Sequence, residues 1–179
     1  SFNNAVVDKF WDNVGIWVGS WNDIVKLGLS THPQVEKFRA QIESQKRSFL
    51  TATRQGVQLK TLDSILNQDD IAIVRKRNYQ YQQKTNGLIQ AFSSIGRPYD
   101  FKMDPNDKTK VSFAQLVFDS YPEISWDKSY TFKQEAVSPY KVTQRTGEKQ
   151  DFFTVLLYHS GEEVLEDLED NFRQISSQQ

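Results

Sequence analysis

Apolar positions recur at two spacings along this chain, every second residue in some segments and every third or fourth in others. The first spacing predicts strands and the second predicts helices. Residues 13–19, Asn-Val-Gly-Ile-Trp-Val-Gly, are short, apolar and rich in β-formers, which predicts a buried strand. Thr31-His32-Pro33 predicts a helix start, with His32 as the cap and Pro33 in the first turn. Val35, Phe38 and Ile42 give that helix an apolar stripe. Residues 49–53 and 57–60 predict a strand pair turning at Gly56, followed by a short helix over 61–66 and a strand over 70–75. Tyr81, Thr85, Leu88, Phe92 and Ile95 share one face of a helix that Gly96 closes at the C′ position.

Residues 96–101 then predict a turn into extended chain, and 104–110 a polar loop. Phe113, Leu116, Val117 and Tyr121 recur at helical spacing, so a helix is expected over 110–121. Residues 125–150 read as irregular and polar, with a strand over 128–133 and a helical turn opened by Ser138-Pro139-Tyr140. Residues 152–158 predict a strand. Ser160 and Glu163 have the spacing of a capping box, which predicts a terminal helix carrying Val164, Leu168, Phe172 and Ile175 on one face. Six acids between Glu162 and Asp170 suit the positive end of that helix. They also suit a face that docks a basic partner. The expected core is Val14, Ile16, Val18, Ile71, Ile73, Phe92, Leu116, Val117, Val155 and Leu157. Strands and helices interleave without a regular βαβ repeat, which predicts an α+β fold with a mainly antiparallel sheet and packed helices. Residues 1–179 read as one domain, with 126–179 as a less recognisable extension ending in a helix.

Composition narrows the chemistry. The 179 residues carry 22 basic and 23 acidic side chains, a net charge of −1, which argues against general binding to nucleic acid. Arg75, Lys76 and Arg77 with Tyr79 and Tyr81 are read as a strand end with solvated charges. There is no cysteine, so disulfides and thiolate chemistry are excluded. Two histidines, His32 and His159, and no cluster with ligand spacing give no metal site and no cofactor. No stretch approaches the roughly 20 apolar residues of a membrane span. The first 13 residues do not read as a targeting segment.

Three segments carry a family resemblance. They are Phe10-Trp-Asp-Asn-Val-Gly-Ile-Trp-Val-Gly19; Gly56-Val-Gln-Leu59 with Asp70-Ile-Ala-Ile-Val-Arg75; and Ile95-Gly-Arg-Pro-Tyr-Asp-Phe101 with Val111-Ser-Phe-Ala-Gln-Leu-Val117. In order and spacing the first 125 residues or so resemble the circularly permuted papain-like amidases of the YaeF/YiiX group, in the NlpC superfamily. The resemblance implies a permuted papain-like architecture. It also implies a histidine on the first strand and a cysteine nucleophile at a helix start. A thiol there, beside an imidazole, is held as thiolate, and the imidazole then serves as general acid.

On that pattern the histidine position is Asn13 and the cysteine position is Phe113. The serine and glutamate that follow the cysteine are Ala114 and Gln115, and a nearby glutamate is replaced by Thr51. The resemblance therefore implies a pseudoenzyme, acting as a binding or scaffold module with a remodelled cleft. Trp11, Trp17, Tyr99, Asp100 and Ser112 are the expected cleft residues. A peptide, a glycan, an acyl chain or a protein is the expected partner, and the resemblance points to an exported or cell-envelope setting. Two alternatives stand beside this reading. One is a hydrolase using Ser112 as nucleophile with Asp100 or Asp119 as partner. The other is an inactivated form of an active cysteine hydrolase.

Overall fold

The computed structural model describes residues 11, 13–66, 68–102, 104, 106–127, 129–131, 134–136, 138–148 and 151–177. The first sheet joins β1 (Gly15–Trp17), β2 (Arg47–Thr53) and β3 (Gly56–Thr61), all antiparallel, in the order β1-β2-β3. Between β1 and β2 lie three short helices, α1 (Trp21–Lys26), α2 (Pro33–Glu36) and α3 (Arg39–Glu43). After β3 come α4 (Asp63–Leu66), β4 (Ile71–Lys76), α5 (Tyr81–Ser93) and α6 (Phe113–Ser120). A two-stranded ribbon follows, β5 (Ser129–Thr131) with β6 (Gln134–Ala136), and then α7 (Pro139–Glu148). The chain ends with β7 (Phe152–His159), β8 (Glu162–Glu163) and α8 (Leu168–Ser177). β4, β7 and β8 form a second antiparallel sheet in the order β4-β7-β8. The fold is α+β with antiparallel sheets, as the sequence pattern implies.

Alternation along the first sheet separates its two faces. Ile16, Val18, Leu50, Ala52, Val57 and Leu59 are buried and face the helical layer, where they meet Leu88, Phe92 and Leu116. The residues between them, Gly15, Trp17, Phe49, Thr51 and Thr53, belong to the opposite face. Leu157 with Trp11, Phe172 and Ile175 forms a second, smaller core, covered by α8. Trp11 ties the two ends of the chain together, because its indole N–H donates to Ser176 Oγ at 3.0 Å.

Several expectations need correction. The strand predicted over 13–19 is confined to three residues, and Val14 is only half-buried. The helix with the stripe Val35, Phe38 and Ile42 is two short helices separated by Lys37 and Phe38. Residues 139–148 form a ten-residue helix where only a turn was expected. Its buried face carries Val142, Thr143 and Thr146, too polar to show in an apolar count. Of the strand expected over 128–133, Ser129–Thr131 is present, and residues 128, 132 and 133 lie outside the described residues.

The capping box at Ser160 does not form. Ser160 and Gly161 both take positive φ, 55° and 80°, and make the two-residue turn between β7 and β8. A pair of positive-φ residues is what a tight hairpin between twisted strands requires. The helix starts five residues after Glu163, so Val164 lies outside it, and of the six acids only Glu169 and Asp170 fall in its first turn. Val155 is 41% exposed because β7 bulges there: Ile73 pairs with Leu156 and Val74 with Thr154, leaving Val155 without a cross-strand partner. Ile71 and Ile73 are half-buried rather than core, for a reason the cleft supplies.

Candidate functional site

A cleft of about 720 Å³ lies between the outer face of the first sheet and β4. That volume is in the range of small-molecule and peptide sites. Phe49, Thr51 and Thr53 of β2 form its floor with Gly15 and Trp17 of β1. Phe113, from the start of α6, closes one side. Ile71 and Ile73 form the far wall, which is why they stay half-buried. Gly15 is required at the floor. A Cβ there would sit 2.4 Å from the Phe49 ring and 2.7 Å from the Leu50 carbonyl oxygen, so the ring's approach needs bare backbone.

The placement of Phe113 follows from a chain of backbone contacts that begins in β3. Gly56 takes φ 101°, and the Val57 N–H donates to the Arg97 carbonyl at 3.0 Å. The Gly96 N–H returns to the Val57 carbonyl at 2.9 Å. The Arg97 guanidinium donates to the carbonyls of Lys108 and Lys110, the latter at 3.0 Å, and fastens the polar loop. Tyr99 then bridges to Val111, and the next residue, Ser112, is the N-cap of α6. The Gly-Arg-Pro-Tyr-Asp motif is thus a strut from the first sheet to the helix start.

The structure places the sequence-predicted residues unevenly. Asn13, Thr51 and Phe113 all line this one cleft, together with Trp11 and Trp17. The Thr51 hydroxyl donates to the Val14 carbonyl at 3.1 Å, with Asn13 Oδ1 3.4 Å away. Trp17 is half-exposed, whereas Trp11 belongs mostly to the second core. Tyr99, Asp100, Ser112 and Gln115 are not among the lining residues. Tyr99 is buried edge-on against Phe113, with ring centroids 5.0 Å apart. Asp100, 3% exposed, accepts the N–H groups of Lys102 and Asp104 at 2.9 and 2.6 Å, so it shapes the loop. The Gln115 side-chain amide donates to Asp119, and its Oε1 is buried without a partner.

Ser112 is 2% exposed, and its hydroxyl oxygen accepts the Gln115 N–H at 3.2 Å. This is a helix cap, and among the described residues no histidine or carboxylate hydrogen-bonds to it. Ser112→Ala is expected to cost about 0.5–2 kcal/mol of stability through the lost cap. Urea melts of the variant and the parent check it.

His32 caps α2, accepting the Gln34 N–H at 3.2 Å. His159 Nδ1 lies 2.8 Å from Asp70 Oδ1, which also accepts the Ser160 N–H at 2.9 Å. The pair holds the β7–β8 turn against the start of β4. The basic run at the end of β4 is structural as well: Arg77 pairs with Glu169, and the Lys76 ammonium sits 5.3 Å from the Tyr79 ring. No group of three or more metal-ligating side chains occurs among the described residues. No described helix is long and apolar enough to cross a membrane.

Burial behind the cleft has a pH signature. Burial, with the Asp100 charge adding to it, pushes the Tyr99 phenol up to about 12, and burial pushes Tyr121 up to about 12 as well. Burial also raises Tyr79. A group whose folded pKa is raised contributes stability that is intact below its unfolded value. For these phenols that contribution is lost as pH rises from about 10 towards 12. Absorbance titration at alkaline pH should therefore show a tyrosine fraction that ionises only with unfolding. Full titration of all tyrosines near pH 10 in the folded protein contradicts this burial.

A family profile described as permuted papain-like amidase enzyme, YaeF/YiiX, C92 family, matches residues 1–167. The chain belongs to this family. The curated proteins and the solved structures give no match to it. In the amidase family member described here, the positions that the resemblance assigns to base, nucleophile and nearby acid converge on one cleft, occupied by an amide, a phenyl ring and a hydroxyl. The floor residue Phe49 and the wall residues Ile71 and Ile73 are not among the cleft residues expected from the sequence. The alternation of Phe49, Thr51 and Thr53 with the buried Leu50 and Ala52 was the signal for the floor.

Proposed function

We propose that this amidase family member is catalytically degenerate and works as a binding module through its remodelled cleft. One observation carries the reading: Asn13, Thr51 and Phe113 line a single cleft, where Asn13 and Phe113 supply neither a base nor a nucleophile and the Thr51 hydroxyl is engaged with the Val14 carbonyl. An amide side chain exchanges no proton near neutral pH, and a phenyl ring has no lone pair to attack with. The cleft retains the marks of a recognition site, with Trp17, Phe49 and Phe113 as apolar surface beside the amide of Asn13 and the hydroxyl of Thr53. Its volume among the described residues favours a ligand-binding role over a scaffold whose old cleft is packed shut.

Ser112 does not favour the hydrolase alternative, since its oxygen is buried and engaged as a cap. The test is turnover by the native chain against fluorogenic amides, esters and thioesters, with fluorophosphonate labelling in parallel. The reading predicts no turnover above buffer and no label. Turnover abolished by Ser112→Ala, or by a substitution at Asn13, would overturn it.

A further inference from the structure

We propose that the cleft takes an extended polypeptide segment, which adds as a strand to the edge of β4 that no described strand pairs. This rests on the reading of the cleft as a binding site and names the class of its ligand.

The wall of the cleft is unusual in touching consecutive residues. Every position from 68 to 74 lines it. Ile71 and Ile73 present one face of β4 to the cleft, while Ala72 and Val74 pack the other way, against the core of Leu157 and Phe172. A pocket lying over one face of a strand meets every second residue. One that meets all of them runs along the strand's edge.

Backbone register shows what that edge offers. The Leu157 carbonyl accepts the Val164 N–H, so it turns towards β8. Ala72 is the cross-strand partner of Leu157, and its backbone groups accordingly turn away from β7. On the other parity, the Asp69 carbonyl accepts the Gly161 N–H and the Arg77 N–H donates to the Asp151 carbonyl. Odd-numbered residues of β4 therefore face β7, and the N–H and C=O of Ala72 and Val74 face the cleft. No described strand pairs with this edge.

β1 repeats the arrangement on the other side. The Val18 N–H bonds to the Ser48 carbonyl, so the main-chain groups of Gly15 and Trp17 turn away from β2. Among the described strands, both that border the cleft are thus terminal in their sheets.

Outward donors and acceptors at every second residue repeat about every 6.8 Å. A second main chain matches that repeat group for group. A sugar or an acyl chain carries no such repeat. A strand laid along β4 places alternate side chains over Phe49 and Phe113, which selects an apolar residue there.

The probe is a phage-displayed random dodecapeptide library selected on the full chain. Enriched peptides are then synthesised with native backbones and with alternate residues N-methylated in each register. The proposal predicts that N-methylation in one register weakens binding at least tenfold and in the other has little effect. Ala72→Pro, which removes one cleft-facing N–H from an edge strand, should weaken binding at least tenfold with an unchanged melting curve. If that variant does not fold, the methylated peptides and slowed amide exchange at Ala72 and Val74 on binding carry the test. Peptides that bind with no response to N-methylation overturn strand addition and leave the binding cleft standing. No peptide enrichment, with tryptophan quenching by a chitin tetrasaccharide or a fatty acid instead, overturns the peptide class alone. No binding by any of the three probes overturns both readings.

Discussion

Phe92→Ala is expected to destabilise the protein by about 3–5 kcal/mol, a large share of the roughly 5–15 kcal/mol that holds an ordinary domain together. Phe92 is fully buried in the principal core. Its ring stacks on Phe38 with centroids 6.0 Å apart, so it joins α5 to the segment between α2 and α3. Truncation leaves a void that neither a flat sheet nor a fixed helix can collapse into. The measurement is a guanidinium melt followed by tryptophan fluorescence. A midpoint shift worth less than about 1 kcal/mol would mean that the helical layer is loosely packed and does not brace the cleft floor.

The second large effect lies at Gly56, and Gly96 provides its control. Gly56 sits at φ 101°, where a side chain is strained, and a Cβ there would lie 2.6 Å from the Arg97 carbonyl oxygen. That oxygen receives the Val57 N–H, so the clash attacks the strut that sets Phe113 at the cleft. Strain and overpacking together give an expected loss of about 2–5 kcal/mol for Gly56→Ala. Gly96 has a similar φ, 91°, but nothing within 4 Å of its virtual Cβ. Gly96→Ala should therefore cost only the backbone strain, about 1–2 kcal/mol. Equal losses at the two glycines would show that the close approach to Arg97 contributes nothing.

Local pattern explains which parts of this fold were readable in advance. β2, β3, β4, α5, α6 and β7 have clean two-residue or helical periods, and each was placed to within a few residues. α1 was not predicted, although Ser20 and Asp23 carry a capping box that the structure realises on both sides. α7 escaped because its buried face carries two threonines beside a single aliphatic residue, Val142. Ser160 shows two local signals in competition. Its spacing to Glu163 suits a helix cap, its Ser-Gly pair suits a tight turn, and pairing of β8 with β7 decides for the turn.

The resemblance singles out Asn13, Thr51 and Phe113 in three distant parts of the chain, and all three line one cleft. Tyr99, Asp100 and Ser112 neighbour Phe113 in sequence, yet the strut turns them inward. The role of β4 as a cleft wall could not be read locally. It depends on pairing with β7, where Ile71 meets Tyr158 across more than 80 residues of chain.

The proposed degeneracy is tested most directly by placing histidine and cysteine at the two positions that the resemblance assigns to the family's pair. In the double variant Asn13→His and Phe113→Cys, the introduced thiol stands at the first position of α6, across the cleft from the introduced imidazole. Its alkylation rate against pH reports its ionisation. If this cleft is a degenerate amidase site, the helix start and the imidazole should hold the midpoint well below the ordinary thiol value of about 8.5. A midpoint at the ordinary value, in a variant that melts like the parent, would contradict the claim that these positions form the family's catalytic site.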